Sequence, residues 1–180
     1  LKKIPVTFLC GKGNNGGDGF CLCARLAEEG YDVAAIAVFG TGELSGAAAE
    51  MASRVPENCL INLVCETGES MAYQRIACSG LVVDCVFGTG FSGVLSEEIQ
   101  RLFAAVQGKK ILACDLPSGV SCDGGQVSPG ALKADKTITF AAWKPACFLY
   151  PGKDFFGETE VWDIGITRAV EKNGGAVRLI

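Results

Sequence analysis

PVTFLCGKGNNGGDGFCLCARLAEEG, residues 5–30, decides the fold. Pro5 to Cys10 is an apolar run of strand length, and it leads straight into Gly11-Lys12-Gly13-Asn14-Asn15-Gly16-Gly17-Asp18-Gly19. A helix follows at once, since Phe20, Cys23, Ala24 and Ala27 recur at i, i+3, i+4 and i+7 while Arg25, Glu28 and Glu29 take the other face. Gly30 ends that helix. Strand, glycine-rich turn and helix in this order make an anion site: glycines let the backbone approach a ligand, and the helix N-terminus offers unpaired N–H groups with a partial positive charge. The spacing fits neither the Walker loop nor a strict Gly-x-Gly-x-x-Gly fingerprint, so ordinary ATP or NAD binding is not what it announces.

Working outward, apolar runs of strand length alternate with segments of helical period, the pattern of a doubly wound parallel sheet with helices on both faces. Strands are expected at Pro5 to Cys10, Val33 to Phe39, Leu60 to Val64, Leu81 to Val86 and Ile111 to Cys114. The clearest helix is Glu97 to Val106: Ile99, Leu102, Phe103 and Val106 form its buried stripe, Ser96 its N-cap, and Gly108 closes it. Lys136 to Phe140 and Gly157 to Asp163 read as late edge strands with no helix between them. No repeat, low-complexity tract or linker divides the chain, and 180 residues suit one core. One domain is expected over residues 1–166, with a tail or the start of a linker over 167–180.

The composition, 49% hydrophobic and 20% charged, is that of a folded domain whose strands are covered on both faces. A net charge of −4, with no dense Lys/Arg cluster, argues against nucleic acid. No apolar run approaches the roughly 20 residues of a membrane span, and Leu1 to Cys10 does not read as a signal peptide, so a cytoplasmic location is expected. The ten cysteines show no paired spacing. Cys10, Cys59, Cys65, Cys78, Cys85, Cys114 and Cys147 fall singly in apolar stretches and read as free, buried, small hydrophobes. Cys21 and Cys23 are too close for a zinc motif, and the chain has no histidine, so any acid or base must be Asp, Glu, Lys, Tyr or Cys.

Two further strands end in candidate chemistry. Leu81 to Val86 carries Asp84 and leads into Phe87-Gly88-Thr89-Gly90-Phe91-Ser92-Gly93; Ile111 to Cys114 delivers Asp115-Leu116-Pro117-Ser118-Gly119. An ionised Asp84 inside an apolar strand is costly unless a cation or several donors meet it; the plainer reading is a carboxylate that holds the adjacent glycine loop. Carboxylates and glycine loops at the C-terminal ends of parallel strands converge on one crevice, where open α/β sheets bind ligands. Asn15, Asp84 and Ser118 are hard oxygen donors, suited to an alkali or alkaline-earth cation.

The stretches GKGNNGGDG (11–19), VDCVFGTG (83–90), CDLPSG (114–119), ADKTITFAAWK (134–144) and VWDIGI (161–166) together resemble the YjeF N-terminal domain family, whose enzymatic members are NAD(P)H-hydrate epimerases. The resemblance implies a Rossmann-like three-layer αβα sandwich with a mostly parallel central sheet. It also implies a metabolite-repair activity, interconversion of the R and S epimers of NAD(P)HX, the hydrated form of NAD(P)H. Substrate contacts carry over to Asn14, Asn15, Gly16, Gly17 and Asp18, to Gly88, Thr89, Gly90, Phe91, Ser92, Gly93 and Val94, and to Asp115. A potassium site carries over to Asn15, Asp84 and Ser118. Family members usually have a helical extension before the first strand that helps to form a homodimer. Many bacterial members continue into an ADP- or ATP-dependent NAD(P)H-hydrate dehydratase domain.

With histidine absent, Asp115 is the expected acid/base group at the hydrated C6 of the substrate, standing at the mouth of the central strand. The alternative is that it fixes only a ribose hydroxyl or its own loop. Lys144 reads as a surface or sheet-end lysine. A non-catalytic ligand- or protein-binding module of the same fold is the rival function, although such a module has no need of Asn15, Asp84, Asp115 and Ser118 together. A plain nucleotide-binding domain is disfavoured by the missing glycine register.

Overall fold

The computed structural model describes residues 4–65 and 67–165. Its strands are β1 (Val6–Cys10), β2 (Val33–Ala37), β3 (Leu60–Asn62), β4 (Leu81–Cys85), β5 (Lys110–Cys114), β6 (Lys136–Phe140) and β7 (Glu158–Trp162). They form one seven-stranded sheet in the order β3-β2-β1-β4-β5-β6-β7, with every neighbouring pair parallel. The helices α1 (Asn14–Glu28), α2 (Gly46–Ala52), α3 (Gly68–Cys78) and α4 (Glu97–Ala105) cover its two faces, giving the expected Rossmann-like αβα layers.

Alternation along the strands builds both cores. Leu9, Ile36 and Val82 point to one face, where Ala72 and Ile76 of α3 and Ile99, Leu102 and Phe103 of α4 cover them. Phe8, Cys10, Ala35, Ala37, Val83 and Cys85 point to the other, under Phe20, Cys23 and Ala24 of α1 and Ala52 of α2. Because both faces are covered, the central strands read as unbroken apolar runs.

The structure corrects the sequence reading at several points. Helix α1 begins at Asn14 rather than after Gly19, so most of the glycine-rich stretch is helix. Each glycine there costs about 1 kcal/mol of helix propensity, but packing requires Gly16 and Gly19. A Cβ on Gly16 would overlap the Gly11 carbonyl and one on Gly19 would crowd Cys10 and Cys85, whereas one on Gly17 would make only ordinary contact with the backbone of α2 at Ala48. The C-terminal end agrees with expectation: Gly30 takes φ 78° and its N–H donates to the Ala27 carbonyl.

Strand β6 is not an edge strand, since it pairs with β5 on one side and β7 on the other. Between β6 and β7 the chain makes two short 3-10 turns, Pro145–Cys147 and Gly152–Phe155. Ala146, Cys147 and Phe156 from this connection bury Leu116 and Val120 in a third apolar cluster. The cysteines are all free, but not all of those expected inside are buried: Cys65 and Cys78 are exposed, and Cys59 and Cys114 only partly covered. Cys65 follows the end of β3 and Cys78 ends α3, where the apolar pattern has already left the core. No helix among the described residues is long and apolar enough to cross a membrane. The tail over 167–180 lies outside the described residues.

Candidate functional site

The C-terminal ends of β1, β4 and β5 lie side by side, with Cys10 opposite Cys85 and Asp84 opposite Ala113. At β1 the sequential strand order reverses, β2 and β3 going one way and β4 to β7 the other, so the crevice falls at the topological switch point. The Gly11 N–H donates to the Cys85 carbonyl at 3.0 Å, pinning the first turn onto β4. A Cβ on Gly11 would overlap the Val86 carbonyl, so only glycine permits this approach. Helix α1 starts three residues later, at Asn14 behind Gly13, and no side chain caps it. Its first-turn N–H groups therefore face the crevice as donors for an anion.

Asn15 lies in that first turn and is buried. Its Nδ2 donates to the Phe87 carbonyl at 3.0 Å, tying α1 to the loop after β4, while its buried Oδ1 has no hydrogen-bond partner. Asp84 is completely buried. Its Oδ1 accepts from Ser118 Oγ at 2.6 Å and from the Val86 N–H at 3.2 Å, and its Oδ2 from the Ser118 N–H at 2.7 Å. Burial nonetheless pushes the Asp84 carboxyl up to about 6 against the pull of these donors. Ser118 Oγ also accepts the Phe87 N–H at 2.9 Å, so a single hydroxyl joins the loops after β4 and β5. The capping role expected as the plainer reading of Asp84 is thus present.

Asp115 follows β5, which is the neighbour of the central strand β4 rather than the central strand itself. It adopts φ 67°, a left-handed conformation that aspartate tolerates better than most residues. Its Oδ1 accepts from Thr139 Oγ1 at 3.2 Å and from the Phe140 N–H at 3.3 Å, both from β6. Its third partner is Lys144, whose Nζ lies 3.0 Å away with both side chains largely buried, 14% and 15% exposed. Lys144 also donates to the carbonyls of Phe140 at 2.7 Å and Ala142 at 3.3 Å. The sheet-end placement of Lys144 holds, since its ammonium bonds the carbonyl of the last β6 residue, but the surface placement is overturned: the turn after β6 folds the ammonium back onto Asp115. The signal available in the sequence was a lone lysine set in the small and apolar stretch AAWKPACF, residues 141–148.

Asp115 Oδ2 is left on the side of Gly88, where a Cβ would come within 3.6 Å of it and within 3.4 Å of Asn15 Cβ. Gly88 thus leaves an opening between the two polar side chains. A cavity of about 510 Å³ occupies this region. It is lined by Asn14, Asn15, Asp18, Gly88, Thr89, Gly90, Phe91 and Asp115, all singled out from the sequence. Gly16 and Gly17 stand behind its wall as packing residues of α1, and Ser92, Gly93 and Val94 do not line it. The lining also includes Lys12, Phe39, Phe87 and Phe140, for which the sequence offered no periodic signal. Partial withdrawal from water and the nearby Asp115 charge raise the Asp18 carboxyl above its ordinary value.

An uncapped helix N-terminus and the carboxylates of Asp18 and Asp115 around one cavity, with Asp84 and Ser118 fully buried outside its lining, define a parallel α/β domain with a polar crevice at its topological switch point. The chain belongs to the family described as YjeF-related protein N-terminus, whose model matches residues 1–146. It is 38% identical over 172 residues to the NAD(P)H-hydrate epimerase of Clavibacter michiganensis subsp. michiganensis, covering 90% of this chain and 73% of that protein. The NAD(P)H-hydrate epimerase of Clavibacter sepedonicus is 40% identical with the same coverage. The bifunctional NAD(P)H-hydrate repair enzyme Nnr of Thermofilum pendens is 34% identical over 93% of this chain, which spans 32% of that enzyme. The crystal structure of the yeast protein ynu0 has the same fold, with a TM-score of 0.68 at 20% identity over 90% of this chain and 66% of the yeast chain.

Proposed function

We propose that this chain interconverts the R and S epimers of NAD(P)HX, with Asp115 as the acid/base group. The observation that carries this reading is the pairing, in one cavity, of an uncapped α1 N-terminus for phosphate with a carboxylate whose Oδ1 is fixed by three donors and whose Oδ2 lies toward Gly88. Epimerisation at C6 balances without any redox partner. The C6 hydroxyl takes a proton and leaves as water while the ring-nitrogen lone pair forms an iminium bond to C6; water then adds to the opposite face and returns a proton. Asp115 handles these protons, and Lys144, Thr139 and the Phe140 N–H hold its carboxylate in place.

A potassium ion fits the residues present. Asn15 Oδ1 is buried and lacks a protein partner, Asp84 is a buried carboxylate met only by the neutral donors of Ser118 and Val86, and Ser118 Oγ joins the loops after β4 and β5. Among the described residues no group of three His, Cys, Asp or Glu side chains is placed to hold a metal, so the donor set here is one of mixed neutral and single-carboxylate oxygens. Bound among Asn15, Asp84 and Ser118, the ion would neutralise Asp84 and order the glycine loops around the ligand. The cytoplasmic location expected from the sequence and the homodimer implied by the family resemblance complete the reading.

Mixing the protein with R-NADHX and following the S epimer by chromatography, with and without potassium, tests the proposal. Turnover well above the spontaneous rate is expected. Neither turnover nor binding of R-NADHX in the folded protein would favour the rival binding module.

A further inference from the structure

Lys12 lines the cavity, yet the chemistry above makes no use of it. Its Nζ lies 5.6 Å from the centroid of the Phe39 ring and 4.0 Å from Glu43 Oε2. Both partners belong to the segment that leaves β2, so the ammonium stands over the end of β2. Phe39 is itself set edge-on to Phe87 at 5.8 Å, and Phe87 meets Phe91 at 5.0 Å, giving this side of the cavity an aromatic wall.

In a sheet with this strand order, a dinucleotide lays its pyrophosphate on the first helix N-terminus and its adenosine ribose near the end of β2. There an acidic side chain accepts the 2′-hydroxyl of the unphosphorylated dinucleotide, whereas a cation accommodates a 2′-phosphate. This chain places one of each at that point, Glu43 and Lys12. Their ion pair is long, with side chains 58% and 69% exposed, and such pairs hold little free energy. A phosphate with a charge of about −1.5 to −2 is a stronger partner for Lys12 than one solvated carboxylate. The backbone donors of α1 already supply the pyrophosphate, and Lys12 is the one Lys or Arg among the described residues lining the cavity.

We infer that Lys12, held over Phe39, reads the ribose 2′-phosphate and makes NADPHX the preferred substrate over NADHX. The inference rests on the epimerase reading for its substrate but has its own readout. In steady-state epimerisation, the wild type is expected to favour R-NADPHX in kcat/KM by about tenfold. Lys12→Met should lower kcat/KM at least tenfold more for R-NADPHX than for R-NADHX, roughly the loss of one charge-assisted contact. Glu43→Gln should move the ratio the other way. In titrations without turnover, 2′,5′-ADP should bind more tightly than 5′-AMP, and Lys12→Met should remove the difference. Equal losses for both substrates, or a wild type that prefers NADHX, would overturn the assignment. A protein that epimerises neither substrate but shows the Lys12-dependent preference for 2′,5′-ADP would refute the epimerase reading and keep this one; absence of that preference would end it.

Discussion

Lys144 Nζ and Asp115 Oδ1 are 3.0 Å apart in a largely buried pair, joining the turn after β6 to the end of β5. The ammonium also holds the Phe140 and Ala142 carbonyls, so all three of its donors have protein acceptors. Asp115 is therefore anchored through one oxygen from the side opposite Gly88. A buried charge that loses its partner is penalised, which makes the pair sensitive from either end.

Lys144→Met is expected to reduce epimerisation through kcat, by about tenfold to a hundredfold, with KM changing much less. Lys144→Arg should restore part of the rate, because a cation again meets Asp115. Steady-state kinetics on both variants check this. A normal kcat in Lys144→Met would show that Thr139 and the Phe140 N–H suffice to position the carboxylate.

Asp115→Asn keeps the shape and the donor contacts from β6 but removes the proton acceptor. The rate should fall by roughly 10²- to 10⁴-fold, the usual worth of a positioned acid or base. Chromatographic conversion of R to S epimer measures it, and an unchanged rate would sink the catalytic assignment.

Asp84 links potassium to pH. Its folded-state value of about 6 lies above the ordinary carboxylate value because burial disfavours the charge. The folded chain therefore holds this proton more tightly than the unfolded chain: the contribution is complete below about pH 4 and is lost as pH rises through the folded value. An ion beside the carboxylate offsets that loss. Potassium should accordingly raise the thermal midpoint at about pH 7.5 and have little effect at about pH 5. Sodium and lithium at equal ionic strength serve as controls. The same increase in Asp84→Asn would contradict the site.

Gly16→Ala tests packing inside α1, and Gly13→Ala serves as a control for an added methyl group at an open position. An ordinary glycine-to-alanine change inside a helix is favourable by about 1 kcal/mol. At Gly16 the new methyl group would overlap the Gly11 backbone, which cannot move without pulling on β4. Denaturant unfolding should therefore show Gly16→Ala destabilised by about 1–3 kcal/mol. Nothing lies within 4 Å of a Cβ at Gly13, the N-cap of α1, so Gly13→Ala should cost only the lost N-cap preference, under about 1 kcal/mol.

Local pattern alone located much of this protein. The apolar runs around Phe8, Ile36 and Val83 marked strands buried on both faces, and the run around Leu112 a strand half-buried on one of them. Ser96, the stripe Ile99, Leu102 and Phe103, and Gly108 marked α4 with its cap and its end, because each signal acts within a few residues. Asn15, Asp84, Asp115 and Ser118 stood out as polar residues in or just after strands β1, β4 and β5; Asn15 and Asp115 line the crevice, while Asp84 and Ser118 are buried and hold the loops that form it. The weakly patterned helices α2 and α3, rich in small or polar residues, drew no assignment because packing against the sheet rather than a strong apolar stripe holds them. The start of α1 at Asn14 was hidden for a related reason: glycine's poor helix propensity is local, whereas the contacts that demand glycine come from Gly11, Cys10 and Cys85. Lys12 over Phe39 and Lys144 on Asp115 were decided only in three dimensions. Their long side chains carry charge to partners on other elements, at distances set by the paired strands and the turns between them, and no spacing along the chain records where a flexible side chain ends.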